Sequence, residues 1–412
     1  MTRLVDSLAA GQRVWVSTLN AESALLRDEL TADPERARDV TFMGAQFPGI
    51  DRTDYLSLHP QARLWGCFMS PALRAGLPSG RAELLTADYL GVIRYLQDMP
   101  PVDVAIAQLT PPDADGWCSP GLASDFLPLV WTQARRRVAH LNPRMPRTRG
   151  SFRVHVSELD AAVTAETEVA QFAERRAGQT EARIAEHVAQ IVRDGDTLQF
   201  GIGGTPLALA DALRSHRRLR LHTGMVTQAV RTLWEAGALQ RDARITTGAI
   251  LGSAELQAFA AALPTLWLTD VRQTHDPCTI GAIPRFVAIN GAVEVDLFGQ
   301  INAERAQGAI QAGAGGLPAF AAGALRSPGG RLVICLPATA RGGSTSRIVP
   351  AIGEAGLVSV PRQMCDVVVT EHGVAQVRRL SLDARAEALI AIAAPEHRAA
   401  LANAWEAIRR TV

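Results

Sequence analysis

The residues whose types and spacing suggest chemistry lie in the second half of the chain. Leu198-Gln-Phe-Gly-Ile-Gly-Gly-Thr-Pro206 is an apolar run that breaks into glycines and restarts as Leu207-Ala-Leu-Ala-Asp-Ala-Leu213. That pattern predicts a strand, a tight glycine loop and a helix. Such a loop carries backbone N–H groups and a helix N-terminus toward an anion or a developing oxyanion. Leu221-His-Thr-Gly-Met225 follows and reads as the next strand, ending near Gly224. In open α/β sheets the carboxyl ends of strands are where ligands bind. The loop is neither a Walker loop, since no Gly-Lys-Ser/Thr follows, nor a GxGxxG fingerprint.

The groups able to move protons nearby are His275, His222 and Glu371, with Asp276 as an orienter and Cys278 three residues beyond His275. Histidine titrates nearest neutrality and suits general acid–base work. A Cys–His pair would supply a nucleophile, although a buried, inert cysteine is the commoner outcome. The 42 basic residues are all arginine. The absence of lysine excludes Schiff-base chemistry, a phosphate-loop lysine and a lysine base.

The rest of the chain must position these groups. With 412 residues, 47% of them apolar, it is long enough for two ordinary domains. The net charge of +1 gives no electrostatic footprint for nucleic acid. No apolar run of 18 residues suggests a membrane span, and Met1-Thr-Arg-Leu-Val-Asp6 lacks the core of a signal peptide, so a cytoplasmic protein is expected. Cys67, Cys118, Cys278, Cys335 and Cys365 form no C-x-x-C pair, so neither a zinc knuckle nor a disulfide frame is indicated.

Strand and helix patterns alternate throughout. Val14–Thr18, Val40–Met43, Arg63–Phe68 and the nearly continuous apolar Val102–Leu109 read as strands of a buried parallel sheet. A charged, largely helical stretch covers Glu166–Arg193, broken near Gly178-Gln-Thr180. The expected division is therefore an N-terminal α/β domain at 1–180 and a C-terminal α/β domain at 181–412 that holds the glycine loops. Phe286–Asn290 and Ala292–Leu297 suggest a hairpin around Asn290-Gly291. Glu294 and Asp296 alternate with apolar residues and read as structural.

The ordered motifs resemble the acetyl-CoA hydrolase/transferase family of CoA-transferases, which includes 4-hydroxybutyrate, butyryl and succinyl-CoA:acetate CoA-transferases. The match runs nearly end to end. It includes Thr110-Pro-Pro-Asp-Ala-Asp-Gly116, Asn142-Pro-Arg-Met-Pro-Arg-Thr148 and Asp194-Gly-Asp-Thr-Leu-Gln-Phe-Gly-Ile-Gly-Gly204. It continues through Ile289-Asn-Gly-Ala-Val-Glu-Val-Asp-Leu-Phe-Gly-Gln300, Gly313-Ala-Gly-Gly316, Ser346-Arg-Ile-Val-Pro350 and Val369-Thr-Glu-His-Gly-Val-Ala375. The resemblance implies two CoA-transferase-like α/β domains with open, mostly parallel sheets, and an active site in the cleft between them.

In such enzymes a glutamate attacks the acyl-CoA thioester and carries the transfer through a glutamyl-CoA thioester. It lies in a His-Thr-Glu-Met-like motif. Here that motif reads His222-Thr223-Gly224-Met225, so Gly224 stands at the position of the nucleophile. An Asn-Asp-Pro-like motif, whose Asn helps hold the reacting carbonyl, reads His275-Asp276-Pro277. Val377-Arg-Arg379 departs a third time, since many relatives have a Gly after the Arg.

The resemblance thus implies a thioester cradle without its glutamate. Gly201, Ile202, Gly203, Gly204 and Thr205, with Gly313, Gly315 and Gly316, would bind substrate or CoA. Gly224 would leave room for a larger second substrate. His275 and Glu371 are the expected catalytic groups. The expected activity is acyl transfer or hydrolysis from an acyl-CoA or acyl-carrier-protein thioester to a small-molecule acceptor, in a small-molecule biosynthetic pathway. No metal or other cofactor is expected, the CoA thioester being substrate, and neither nucleic acid nor membrane is an expected partner. A homodimer is expected. The alternatives are a conventional hydrolase or CoA-transferase using another carboxylate, and a non-catalytic CoA-binding subunit.

Overall fold

The computed structural model describes residues 3–353 and 356–411. It divides into two compact units. The first holds the chain up to Ala173 together with Met225–Thr227 and Arg244–Thr274; the second holds Glu174–Gly224, Gln228–Ala243 and the chain from His275 onward. The division differs from a single cut at 180. Arg244–Thr274 belongs to the first unit because its backbone pairs there: Ala249 bridges Ala123, and Leu268 bridges Gly150. Such long-range pairing leaves no local mark in sequence.

The first unit is built on a seven-stranded sheet. Its spatial order is Ala82–Leu84, Arg63–Gly66, Thr41–Met43, Arg13–Val16, Val104–Leu109, Arg137–Leu141 and Ala161–Thr164, with every pairing parallel. All six residues of Val104–Leu109 are buried, as a strand covered on both faces requires. Trp15, Trp65, Phe126 and Trp131 fill the core on one side.

In the second unit the spatial order is Arg220–Leu221, Thr197–Phe200, Phe286–Gly291, Arg331–Cys335, Val367–Thr370 and Gly373–Gln376. All pairings are parallel except the last. Numbered along the chain, the five parallel strands run 2-1-3-4-5. The chain leaves Thr197–Phe200 to one side and later returns on the other, at Phe286–Gly291. In doubly wound sheets of this order the crevice at that reversal is the ligand site.

The hairpin expected around Asn290-Gly291 does not form. Phe286–Gly291 lies between two parallel neighbours, which occupy both of its edges. Glu294–Asp296 instead pairs with Ile301–Asn302 and Ile348–Val349. Asn-Gly is a strong turn signal only where no neighbouring strand claims the backbone.

The charged Glu166–Arg193 stretch is helical only over Gln179–Ile191, which buries Ile184, Ala185 and Val188 against the sheet. The C-terminal helices Leu382–Ala391 and Pro395–Arg409 cover the far edge, with Trp405 donating to Asp383 at 3.0 Å. No helix among the described residues is long and apolar enough to cross a membrane.

Candidate active site

Thr197–Phe200 is entirely buried and ends at Gly201. Gly203 then turns the chain with φ +113° and caps the helix Gly204–Ala212 with no side chain. That backbone favours glycine. Gly204 is glycine for a different reason: a Cβ there would meet Ala177 at 3.3 Å and Glu181 at 3.4 Å. At Gly201 neither reason applies. It has no left-handed φ, and a Cβ would have nothing within 4 Å. Packing therefore does not explain its bare backbone, whereas close approach of a ligand would.

The loop borders a cavity of about 280 Å³ at the strand reversal. Gly201, Ile202, Gly204 and Thr205 line it on one side, and Asn290 and Ala292 on the other. Ile202 is 38% exposed, an apolar side chain left at the rim. Below it, Gln199 and Asn290 exchange amide hydrogen bonds at 2.8 and 3.3 Å, which locks the two reversal strands together. Arg347 also lines the cavity, and its Nε is buried with no hydrogen-bond partner among the described protein groups. Of the eight expected binding residues, Gly203 shapes the loop without lining the cavity. Gly313, Gly315 and Gly316 lie outside the lining and belong to a second loop.

That second loop meets the histidine. Gly315 has φ +57°, and Gly316 caps the helix Leu317–Arg326. The His275 imidazole rests on Gly316 so closely that a Cβ there would overlap Cδ2 and Nε2 of the ring. The ring also approaches Gly224. A Cβ built at Gly224 would sit 3.2 Å from both Cε1 and Nε2 of His275, and 4.0 Å from Phe320. Phe320 stacks obliquely at 4.6 Å between ring centroids.

His275 thus lies against two glycines: a Cβ at Gly316 would overlap its ring, and one at Gly224 would press on it. The space expected to be open at Gly224 is taken by this imidazole. Thr223 donates to the Phe200 carbonyl at 3.1 Å, which ties the Gly224 segment to the start of the glycine loop.

His275 is 4% exposed. Burial, followed by repulsion from His222, pushes its pKa down to about 3. At neutral pH the ring is therefore uncharged. His222 is also buried and sits edge-on to Phe286 at 6.1 Å between centroids.

The other candidates have structural duties. Asp276 caps the helix Pro277–Gly281, accepting from the N–H groups of Cys278 and Thr279 and from the Thr279 hydroxyl. Burial works against its charge, but these bonds hold its pKa below the usual carboxylate value. Cys278 is exposed on that helix, whereas His275 is buried.

Glu371 follows Val367–Thr370, three strands from Thr197–Phe200, which puts about 14 Å between those backbones. Its carboxylate accepts the Ala338 N–H at 2.8 Å and faces His372 at 3.8 Å. Glu371 therefore braces two strand ends. Glu294 and Asp296 accept from Asn302 and from the turn at Phe298–Gln300, the structural part expected of them.

Two doubly wound α/β units, one with a bare glycine loop at its strand reversal, are the architecture that the resemblance to CoA-transferases implies. The comparisons agree. Residues 84–174 match the acetyl-CoA hydrolase/transferase N-terminal domain, and residues 252–405 match its C-terminal domain. The chain is 33% identical over 346 residues to 4-hydroxybutyrate coenzyme A transferase of Clostridium kluyveri, covering 82% of this chain and 81% of that one. Among solved structures, RipA from Yersinia pestis superposes with a TM-score of 0.89 at 26% identity, over 98% of this chain and 96% of that one. A 4-hydroxybutyrate CoA-transferase from Porphyromonas gingivalis gives 0.81 at 30% identity, over 99% and 96%. The chain belongs to the acetyl-CoA hydrolase/transferase family. The segment 175–251, with the glycine loop and Gly224, lies between the two matched domains.

Proposed function

We propose that this enzyme binds an acyl thioester, on CoA or a carrier protein, beside Gly201–Thr205 and passes the acyl group directly to an acceptor or to water. No glutamyl-CoA intermediate forms. The observation that carries this reading is the His275 ring lodged against Gly224 and Gly316. The relatives are named as CoA transferases of small carboxylic acids, which puts acyl-CoA first among donors.

The chemistry follows from the neutral ring. An acceptor lone pair forms the new bond to the thioester carbon, the carbonyl π pair moves onto oxygen, and collapse expels the thiolate, which takes up the proton the acceptor gives up. A ring with a pKa of about 3 is too weak a base to draw a proton from the acceptor at pH 7. Its neutral form is kept throughout the range near neutrality, so a role in shaping the site around Gly224 is not lost there through titration. Backbone N–H groups of the glycine loop stabilise the oxyanion. Fixed donors of this kind contribute roughly 3–4 kcal/mol each.

The test uses purified protein, acetyl-CoA or butyryl-CoA, and a thioester-cleavage assay. Wild type should turn over with no CoA-sized adduct by intact mass before borohydride treatment and no glutamate reduced to its alcohol after it. His275→Ala should lower kcat by about 10²–10³. His275 should contribute no inflection to the rate between pH 5 and 8. A glutamyl adduct refutes the reading in favour of another carboxylate. Binding without turnover refutes it in favour of a non-catalytic CoA-binding subunit.

A further inference from the structure

A second cavity opens at the opposite end of the same sheet. It has about 580 Å³ and is lined by the amino ends of two strands, at Arg331 and Val367, and by the residues that follow Gly373–Gln376. The glycine loop stands at the carboxyl ends, so this cavity is separate from the site above.

Its lining is strongly basic: Arg193, Arg331, Arg378 and Arg379, with His187 and a single carboxylate, Asp366. Asp366 accepts the Leu332 N–H and lies 3.8 Å from Arg378. Arg331 is shared between Asp196 and the Ile191 carbonyl, yet its buried Nε has no partner among the described protein groups. Burial is the largest influence lowering its pKa, and Arg193 adds to it. Arg193 and Arg379 have no carboxylate within ion-pair distance among the described residues.

Arg379 supplies a second, independent observation. Its φ is +69°, the left-handed region that a glycine adopts freely. This chain has an arginine at that strained position. Strain at a residue that no described side chain holds is a mark of an external ligand.

We propose that this cavity is a binding site for a small phosphate-bearing anion. Guanidinium forks match phosphate oxygens in pairs, and the volume exceeds what a single phosphate needs. The ligand neutralises Arg193 and Arg379 and satisfies the Arg331 Nε. The site lies apart from the thioester chemistry and stands or falls independently of it.

Inorganic pyrophosphate, titrated calorimetrically into the full chain at constant ionic strength, is the test. Wild type should show one saturable site. Arg379→Gly should bind roughly tenfold or more weakly, while melting at or above the wild-type temperature, because glycine relieves the backbone. Arg379→Lys should keep part of the affinity, and Arg193→Ala should lose it. No saturable binding at millimolar pyrophosphate, or equal affinity in Arg379→Gly, overturns the proposal.

Discussion

Gly316→Ala tests whether the His275 niche is as tight as its geometry. Gly316 has φ −83° and ψ −8°, which alanine adopts without strain. Any cost therefore comes from the new methyl. It would overlap the His275 ring and lie 3.1 Å from Phe320 Cε2. With Gly224 3.2 Å from the ring by the same measure, the imidazole has little room to retreat. Overpacking of a well-filled core costs about 1–3 kcal/mol. His275→Ala alone should cost roughly 2–4 kcal/mol, as a buried side chain is replaced by a void. In the double variant the methyl enters that void, so the Gly316→Ala cost should vanish or change sign. The expected coupling in the cycle is about 1–3 kcal/mol, read from urea melts at pH 7.5. Diethyl pyrocarbonate gives a second reading: His275 should resist modification in wild type and react once Gly316→Ala expels the ring. Additive stabilities together with an unreactive His275 in Gly316→Ala would refute the packing argument.

Acid should weaken the fold through the same ring. Folded His275 takes a proton only near pH 3, whereas the unfolded chain takes it below about 6.5. Between those values the unfolded state binds more protons, so stability is complete above pH 6.5 and falls as pH drops toward 3. At pH 4.5 the loss is roughly 3 kcal/mol. His275→Asn should lose that much less between pH 7.5 and 4.5 in urea melts; an identical pH dependence would show that the ring titrates normally. Gly224→Glu, which puts a carboxylate where the family resemblance expects the nucleophile, should displace the imidazole, lower native turnover and destabilise by at least about 1 kcal/mol. Full activity with unchanged stability would show that the ring does not fill that space.

The composition and the period of the apolar residues made both α/β units legible before any coordinates. A run such as Val102–Leu109 has too few polar residues for anything but a strand buried on both faces. The glycine loop was legible too, since only a turn into a helix explains Gly201–Gly204 followed by an apolar helical repeat. Cys278 and Asp276 could be weighed by residue type, but not settled, because capping and exposure depend on how the following turn folds. Asn290-Gly291 misled for the opposite reason: the dipeptide favours a turn locally, and two parallel neighbours overrode it. Glu371 was legible as a carboxylate, but its bond to the Ala338 N–H depends on how two strand ends meet and leaves no mark in sequence.

Sequence alone determined that Gly224 has no side chain, that lysine chemistry is impossible, and that His275 follows a short polar segment before a proline. Those are facts of covalent structure. Only the tertiary structure decided that His275, Gly224 and Gly316, far apart along the chain, form one niche. The reason is steric and non-local. Each glycine leaves a gap that its own neighbours in sequence do not fill, and a third segment brings the ring that does. The same packing removes water from the imidazole and holds it neutral, which no reading of residue types could supply.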